Sequence, residues 1–270
     1  YGGTTVDIFR TSDLMRVQSI DLRDGKSCGG PFIERCPDRT EARPHGIVWH
    51  QSGTLYVTAE ARKSIFVLRD PIEGPVGINE YPTGQLGSHM LAVAPDQSTA
   101  WTTDLGSRTV TRIDLKGGAE PISVTVGEEP EGIALSPDGS ALWVSARGSN
   151  EAYELDPVSM EVRKTVSTGA FPLRIAIRPQ GDVAVTSDLQ DGGLSVIDLA
   201  SGTVLRQIAV SSPEEAEDRF QVTILWSDDG SKIYVAETAS DTVAEVDYAS
   251  GQVLRRFKVG DGGDGMAILP

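Results

Sequence analysis

A tight-turn triplet recurs through the chain at a nearly constant interval, and that interval constrains the fold more than any other feature. The triplet reads Gln51-Ser52-Gly53, Pro95-Asp96-Gln97, Pro137-Asp138-Gly139, Pro179-Gln180-Gly181 and Asp228-Asp229-Gly230. Its third residue falls at 53, 97, 139, 181 and 230, so the steps are 44, 42, 42 and 49 residues. Pro presets φ and Gly accepts positive φ, which suits a hairpin turn. A short apolar run precedes each triplet: Gly46–Trp49, Met90–Val93, Gly132–Leu135, Arg174–Ile177 and Thr223–Trp226. A second follows it: Leu55–Thr58, Ala100–Thr103, Leu142–Ser145, Val183–Thr186 and Ile233–Ala236. A third strand ends at a Gly-containing turn, as in Leu194–Asp198 or Val243–Asp247, and a fourth alternates, as in Val253–Val259. Four short strands per repeat, joined by turn residues, describe the blade of a β-propeller.

The two ends fit one blade. The chain opens on a third strand, Thr5–Phe9, and a fourth, Met15–Ile20, and closes on a first strand, Gly265–Leu269. Pairing them would close a ring and shield its sheet edges. The expectation is a single all-β domain over 1–270, a six-bladed propeller of four-stranded antiparallel blades. The chain opens at Tyr1 without Met, as a processed form would, and the second strand of the shared blade is expected upstream. No window sustains a 3.6-residue period, so little helix is expected.

The run P-E-G-I-A-L-S-P-D-G-S-A-L-W-V-S at Pro130–Ser145, with I-D-L-A-S-G-T-V at Ile197–Val204, resembles the YVTN-type β-propeller repeat. The resemblance covers nearly the whole chain. It implies the propeller fold, a first strand innermost in each blade, and a periplasmic, surface or secreted setting. It implies no particular activity, because one fold hosts many.

Net charge is −15, which argues against nucleic acid and anionic membrane surfaces, since phosphate contacts need clustered Lys and Arg. No run approaches the roughly 18 apolar residues of a membrane span, so no membrane insertion is expected. Cys28 and Cys36 share one Gly/Pro-containing loop and are read as a disulfide, hence a secreted or periplasmic location. A zinc pair is disfavoured there, because no second Cys/His cluster lies nearby.

Alignment on the triplets puts one residue per repeat at the start of the first strand: His45, His89, Glu131, Leu173, Val222 and, in the shared blade, Asp264. Two of the chain's three histidines share that column. His45, His89, Glu131 and Asp264 are therefore the candidate catalytic and metal-ligating residues, for a divalent ion such as Zn, Mn, Fe or Ni. Without metal, a histidine would act as general base beside a carboxylate. The alternative is an inert, solvated channel. His50, beside its turn, reads as a surface residue.

A second tier comes from the ends of the second strands: Glu60, Asp104, Arg147, Asp188 and Glu237, with Arg174 following its column residue. These are the candidate substrate-binding groups. Arg147 and Arg174 suit a carboxylate, phosphate or sulfate, or else pair with nearby acids. Two long connections, Arg23–Arg43 and Ser211–Arg219, should stand on the same face. Phe32, Phe171 and Phe220 are candidate apolar walls. No G-x-S-x-G elbow, phosphate-binding loop or haem-attachment motif occurs, and Gly260–Gly265 reads as a flexible turn. The reading leans to an extracytoplasmic enzyme (hydrolase, lyase or isomerase) acting on a small, anionic molecule at the channel mouth. Its rival is a non-enzymatic module binding a protein or glycan through the loop-bearing face.

Overall fold

The turn triplet does what its residues dictate. Its third residue takes positive φ in every repeat: Gly53 84°, Gln97 57°, Gly139 71°, Gly181 72° and Gly230 66°. Its N–H donates to the carbonyl three residues back, as from Gly139 to Ser136 at 2.8 Å. Glycine supplies that conformation freely in four repeats, whereas Gln97 adopts it at a cost of about 1–2 kcal/mol.

The computed structural model describes residues 3–22, 42–72 and 77–268. It forms two compact units, Tyr1–Thr125 and Val126–Pro270. The first holds a two-stranded sheet, β1 (Thr5–Phe9) and β2 (Arg16–Asp21). Two four-stranded sheets follow: β3 (Pro44–His50), β4 (Thr54–Ala59), β5 (Ser64–Arg69) and β6 (Gly77–Pro82), then β7 (Ser88–Val93), β8 (Thr99–Asp104), β9 (Thr109–Asp114) and β10 (Ile122–Thr125). The second unit holds three such sheets. They are β11 (Pro130–Leu135) to β14 (Val162–Ser167), with β12 (Leu142–Ala146) and β13 (Glu151–Leu155) between. Then come β15 (Pro172–Ile177), β16 (Val183–Asp188), β17 (Gly193–Asp198) and β18 (Thr203–Ala209), and last β19 (Gln221–Trp226), β20 (Lys232–Glu237), β21 (Thr242–Asp247) and β22 (Val253–Lys258). Every sheet runs in chain order with antiparallel neighbours. Among the described residues, α-helix is confined to α1 (Ala216–Arg219), with short 3-10 turns at Glu60–Arg62 and Thr238–Ser240.

Alternating apolar residues stack successive sheets within each unit. In the first, Tyr56 and Val67 cluster with Leu91, Ala100 and Ile113, while Leu55, Val57, Phe66 and Leu68 cluster with Val6 and Ile20. In the second, Val183, Val185 and Val196 meet Ile224, Trp226 and Val235. Each buried Val, Leu or Ile contributes roughly 1.5–3 kcal/mol by leaving water.

A β-bulge recurs at the start of every first strand. β3 pairs Pro44 with Ala59 and Ile47 with Val57, three steps against two. β7, β11, β15 and β19 repeat it at Ser88/Leu91, Pro130/Ile133, Pro172/Ile175 and Gln221/Ile224. A bulge bends its strand and re-aims a side chain, here that of the column residue. In four of the five sheets a hydroxyl on the second strand fastens the bulge; the fifth has Ala236 there. Thr58 Oγ1 accepts from Gly46 N at 2.7 Å and donates to His89 O, on the next sheet, at 2.7 Å. Ser145 links Gly132 N to Leu173 O at 3.1 and 3.3 Å, and Ser187 links Arg174 N to Val222 O at 3.0 and 2.8 Å. Close approach explains the glycines at these positions: a Cβ on Gly132 would lie 2.6 Å from Ile175 N and 2.8 Å from Arg174 Cα.

The strand expected at Gly265–Leu269 is not formed over the described residues, since 259–268 carry no strand and Leu269 lies outside them. Glycine-rich chain loses much entropy on extension. It is held instead as a loop, Gly262 N donating to Asp241 Oδ1 at 2.8 Å and the Thr238 hydroxyl to Gly263 O at 2.9 Å. Cys28, Phe32 and Cys36, with the expected disulfide, also lie outside the described residues.

Ser145→Ala should lower the unfolding free energy by about 1–3 kcal/mol, because a buried N–H and C=O lose their shared partner. Ser145→Thr, the residue at the matching positions 58 and 103, should keep most of it. Denaturant titration measures both, and an unchanged Ser145→Ala midpoint would contradict the linking role.

Candidate functional site

In the first unit, the bulges of β3 and β7 bring two column residues face to face. The His45 and His89 rings stack with centroids 3.8 Å apart and 22° between planes. Glu60, one residue past the end of β4, completes the group: its Oε1 lies 2.5 Å from His89 Nδ1. Thr58 and Glu60 thus fix one residue from the same strand end, Thr58 through the His89 carbonyl and Glu60 through its imidazole. Arg43 stands 3.8 Å from Glu60 Oε2. The hydrogen bond from His89, with lesser help from nearby positive charge, holds the Glu60 carboxyl below the usual range against its desolvation. An ionised Glu60 places the proton on Nδ1 of His89, so Nε2 is the basic nitrogen of the neutral ring.

One ligand atom from each of His45, Glu60 and His89 lies within 4.8 Å of the others. Tetrahedral bonds of about 2.0–2.1 Å need ligand separations of roughly 3.4 Å, which falls inside that limit. Two imidazoles and one carboxylate suit a borderline divalent ion such as zinc. The donor set fits.

In the second unit, Glu131 sits at the same column position and is buried. Arg174 NH1 donates to its Oε1, and Arg147 NH1 lies 2.5 Å from its Oε2. Arg147 Nε also donates to Glu129 Oε2 at 3.1 Å, and its guanidinium lies 5.1 Å over the Phe171 ring. Both expected arginines therefore pair with acids. Leu173 and Val222 are buried with Leu189, and Phe171 packs on them. Asp264 is half-buried, with the Thr223 hydroxyl 3.4 Å from its Oδ1. His50 is engaged at the far turn by Ser52 Oγ and Pro95 O.

Asp104, Asp188 and Glu237 are turned into their sheets. Asp104 accepts from Ser88, Thr102, Thr109 and Thr111 hydroxyls. Asp188 accepts from Thr186 and Ser195 at 2.7 and 2.6 Å, while Glu237 takes Arg256 and the Thr242 hydroxyl. Register separates the second tier into two sets. Asp104, Asp188 and Glu237 face Ser88, Pro172 and Gln221, but the residue facing Pro44 is Ala59 and the one facing Pro130 is Ala146. Glu60 and Arg147 lie one residue beyond, on the other side of the strand's alternation. The first hairpin is one residue shorter between turn and strand end, which hides this offset from alignment on the turns.

The sequence matches no protein-family model and no curated protein. Solved structures do resemble it. Virginiamycin B lyase from Staphylococcus aureus superposes with a TM-score of 0.68 at 19% identity, over 81% of this chain and 71% of that one. A catalytically inactive histidine-to-alanine form of that lyase with quinupristin gives 0.66 at 19%, over 80% and 70%. A functionally unknown protein from Desulfotomaculum acetoxidans gives 0.73 at 16%, over 96% and 79%. At these identities the likeness is one of fold, that of a β-propeller.

Burial pushes the Asp188 carboxyl up to about 6, against the lowering by its Ser195 and Thr186 bonds. An unfolded Asp titrates near ~3.9, so the folded state binds this proton more tightly. The contribution is full below pH about 4 and is lost as pH rises through about 6. Asp188→Asn should flatten that decline by on the order of 3 kcal/mol between pH 4 and 7 in urea unfolding. Identical pH slopes in the two proteins would contradict it.

Proposed function

We propose that the chain is a β-propeller enzyme acting on a small molecule at His45, Glu60 and His89, with a divalent metal held by those three side chains. The observation that carries this is the convergence of two imidazoles and a carboxylate from three separate elements. A bound metal would supply Lewis-acid polarisation of a carbonyl or an activated water. Glu60 orients the His89 ring and balances positive charge on it. His45, stacked on His89, limits how far the ring can turn. Without metal, His89 Nε2 is suited to take a proton from substrate, with Glu60 held on its Nδ1–H. Elimination stands first among the reactions because a lyase shares the fold and loses activity when a histidine is replaced. Hydrolysis and isomerisation use the same groups. Closure into a six-bladed ring belongs to this proposal, as do Glu131 and Asp264 as candidate ligands. So does a secreted or periplasmic location, which rests on the spacing of Cys28 and Cys36 in the sequence.

Equilibrium dialysis against zinc or manganese tests the reading. One equivalent should bind the unaltered protein, and His45→Ala with His89→Ala together should abolish it. Glu60→Gln should weaken it by roughly 10–100-fold, as loss of a ligand or its orienting partner does. No stoichiometric metal, or metal retained by the double variant, would refute the centre.

A further inference from the structure

The second unit carries a cluster whose charges and hydrogen bonds are incomplete. Glu131, its side chain 4% exposed, faces two guanidiniums, those of Arg147 and Arg174. The other acid on Arg147, Glu129, is 51% exposed, so water screens it heavily. Arg174, buried, and Arg147, a quarter exposed, thus set two positive charges against the one buried carboxylate. Arg174 is 9% exposed at its side chain, and its Nε–H has no hydrogen-bond partner among the described residues. Buried donors are nearly always satisfied, so an orphan on a guanidinium points to a missing acceptor. A positive excess is also out of keeping with a chain of net charge −15.

The surroundings limit what the acceptor can be. Phe171 lies under Arg147, and Leu173, Leu189 and Val222 form one apolar cluster with it. Strongly hydrated dianions gain nothing from such a wall. A monoanion with an apolar body matches both halves: it balances one charge and sets its hydrocarbon on Phe171. The planar fork of arginine accepts a carboxylate in two parallel bonds.

We infer that Arg147 and Arg174 form a binding subsite for a small carboxylate with an apolar, aromatic-sized body. As an assignment of substrate class this rests on the enzymatic reading above, but the subsite itself does not depend on the metal centre.

Calorimetric titration with benzoate, benzyl alcohol and sulfate tests it on the full chain. Benzoate should bind saturably, with benzyl alcohol and sulfate each at least tenfold weaker. Arg147→Lys and Arg174→Lys keep the charge and lose the fork, and each should weaken benzoate tenfold or more. Circular dichroism verifies folding, and if Arg174→Lys does not fold, Arg147→Lys alone decides. The His45→Ala/His89→Ala protein should bind benzoate within twofold of the unaltered chain. No saturable binding, equal binding of benzyl alcohol, or full affinity in the folded arginine variants would each overturn the inference. Loss of benzoate in the histidine variant alone would also overturn it, placing the carboxylate at the histidine centre and leaving the proposed function standing.

Discussion

A buried hydroxyl, present in four of the five repeats, fixes where the functional side chains point. Thr58, Ser145 and Ser187 each accept from the bulged N–H of their own first strand and donate to the carbonyl of the next column residue. The bulge leaves an N–H that the ladder cannot satisfy, and an unsatisfied buried N–H costs about 1–3 kcal/mol. One Thr or Ser removes that penalty and ties two sheets together. The bulge then orients the residue beside it, whatever that residue is.

The chemistry follows from what occupies that position. Where it is histidine in neighbouring repeats, two rings stack and the acid past β4 orients one of them. Where it is Glu131, arginines from the next register position and the next sheet close on it. Where it is Leu173 or Val222, the position becomes apolar wall. Buried acids one register step away have a different task. Asp104 and Asp188 lie among hydroxyls, and desolvation dominates and raises both. Glu237, equally buried, accepts from the Arg256 guanidinium.

Much of the scaffold was legible because turns and strands are local. Positive φ at Gly139 or Gly181 needs only that residue, and the apolar runs around it follow period two. The histidine pair was legible too, since the column lies a constant distance before the turn in every repeat. The role of Glu60 was only half visible. A hairpin one residue shorter places it like Asp104 in the alignment, yet on the opposite side of the strand. Only the pairing of Pro44 with Ala59 reveals that. The pairing of Arg147 and Arg174 with one buried acid depends on rotamers and desolvation, which carry no periodic signal. The sequence at Gly265–Leu269 has the apolar pattern of a closing strand but follows a glycine-rich run held as a loop by bonds to Asp241 and Thr238.

The most direct test of the account is zinc K-edge X-ray absorption on the zinc-loaded protein. Two imidazoles and one carboxylate oxygen at about 2.0–2.1 Å should fit the first shell, with the outer scattering of histidine rings present. Replacing His89 by Ala should remove one ring's contribution. A first shell of oxygen alone, or a spectrum unchanged by that replacement, would contradict the claim that the bulged strands bring these residues to one centre.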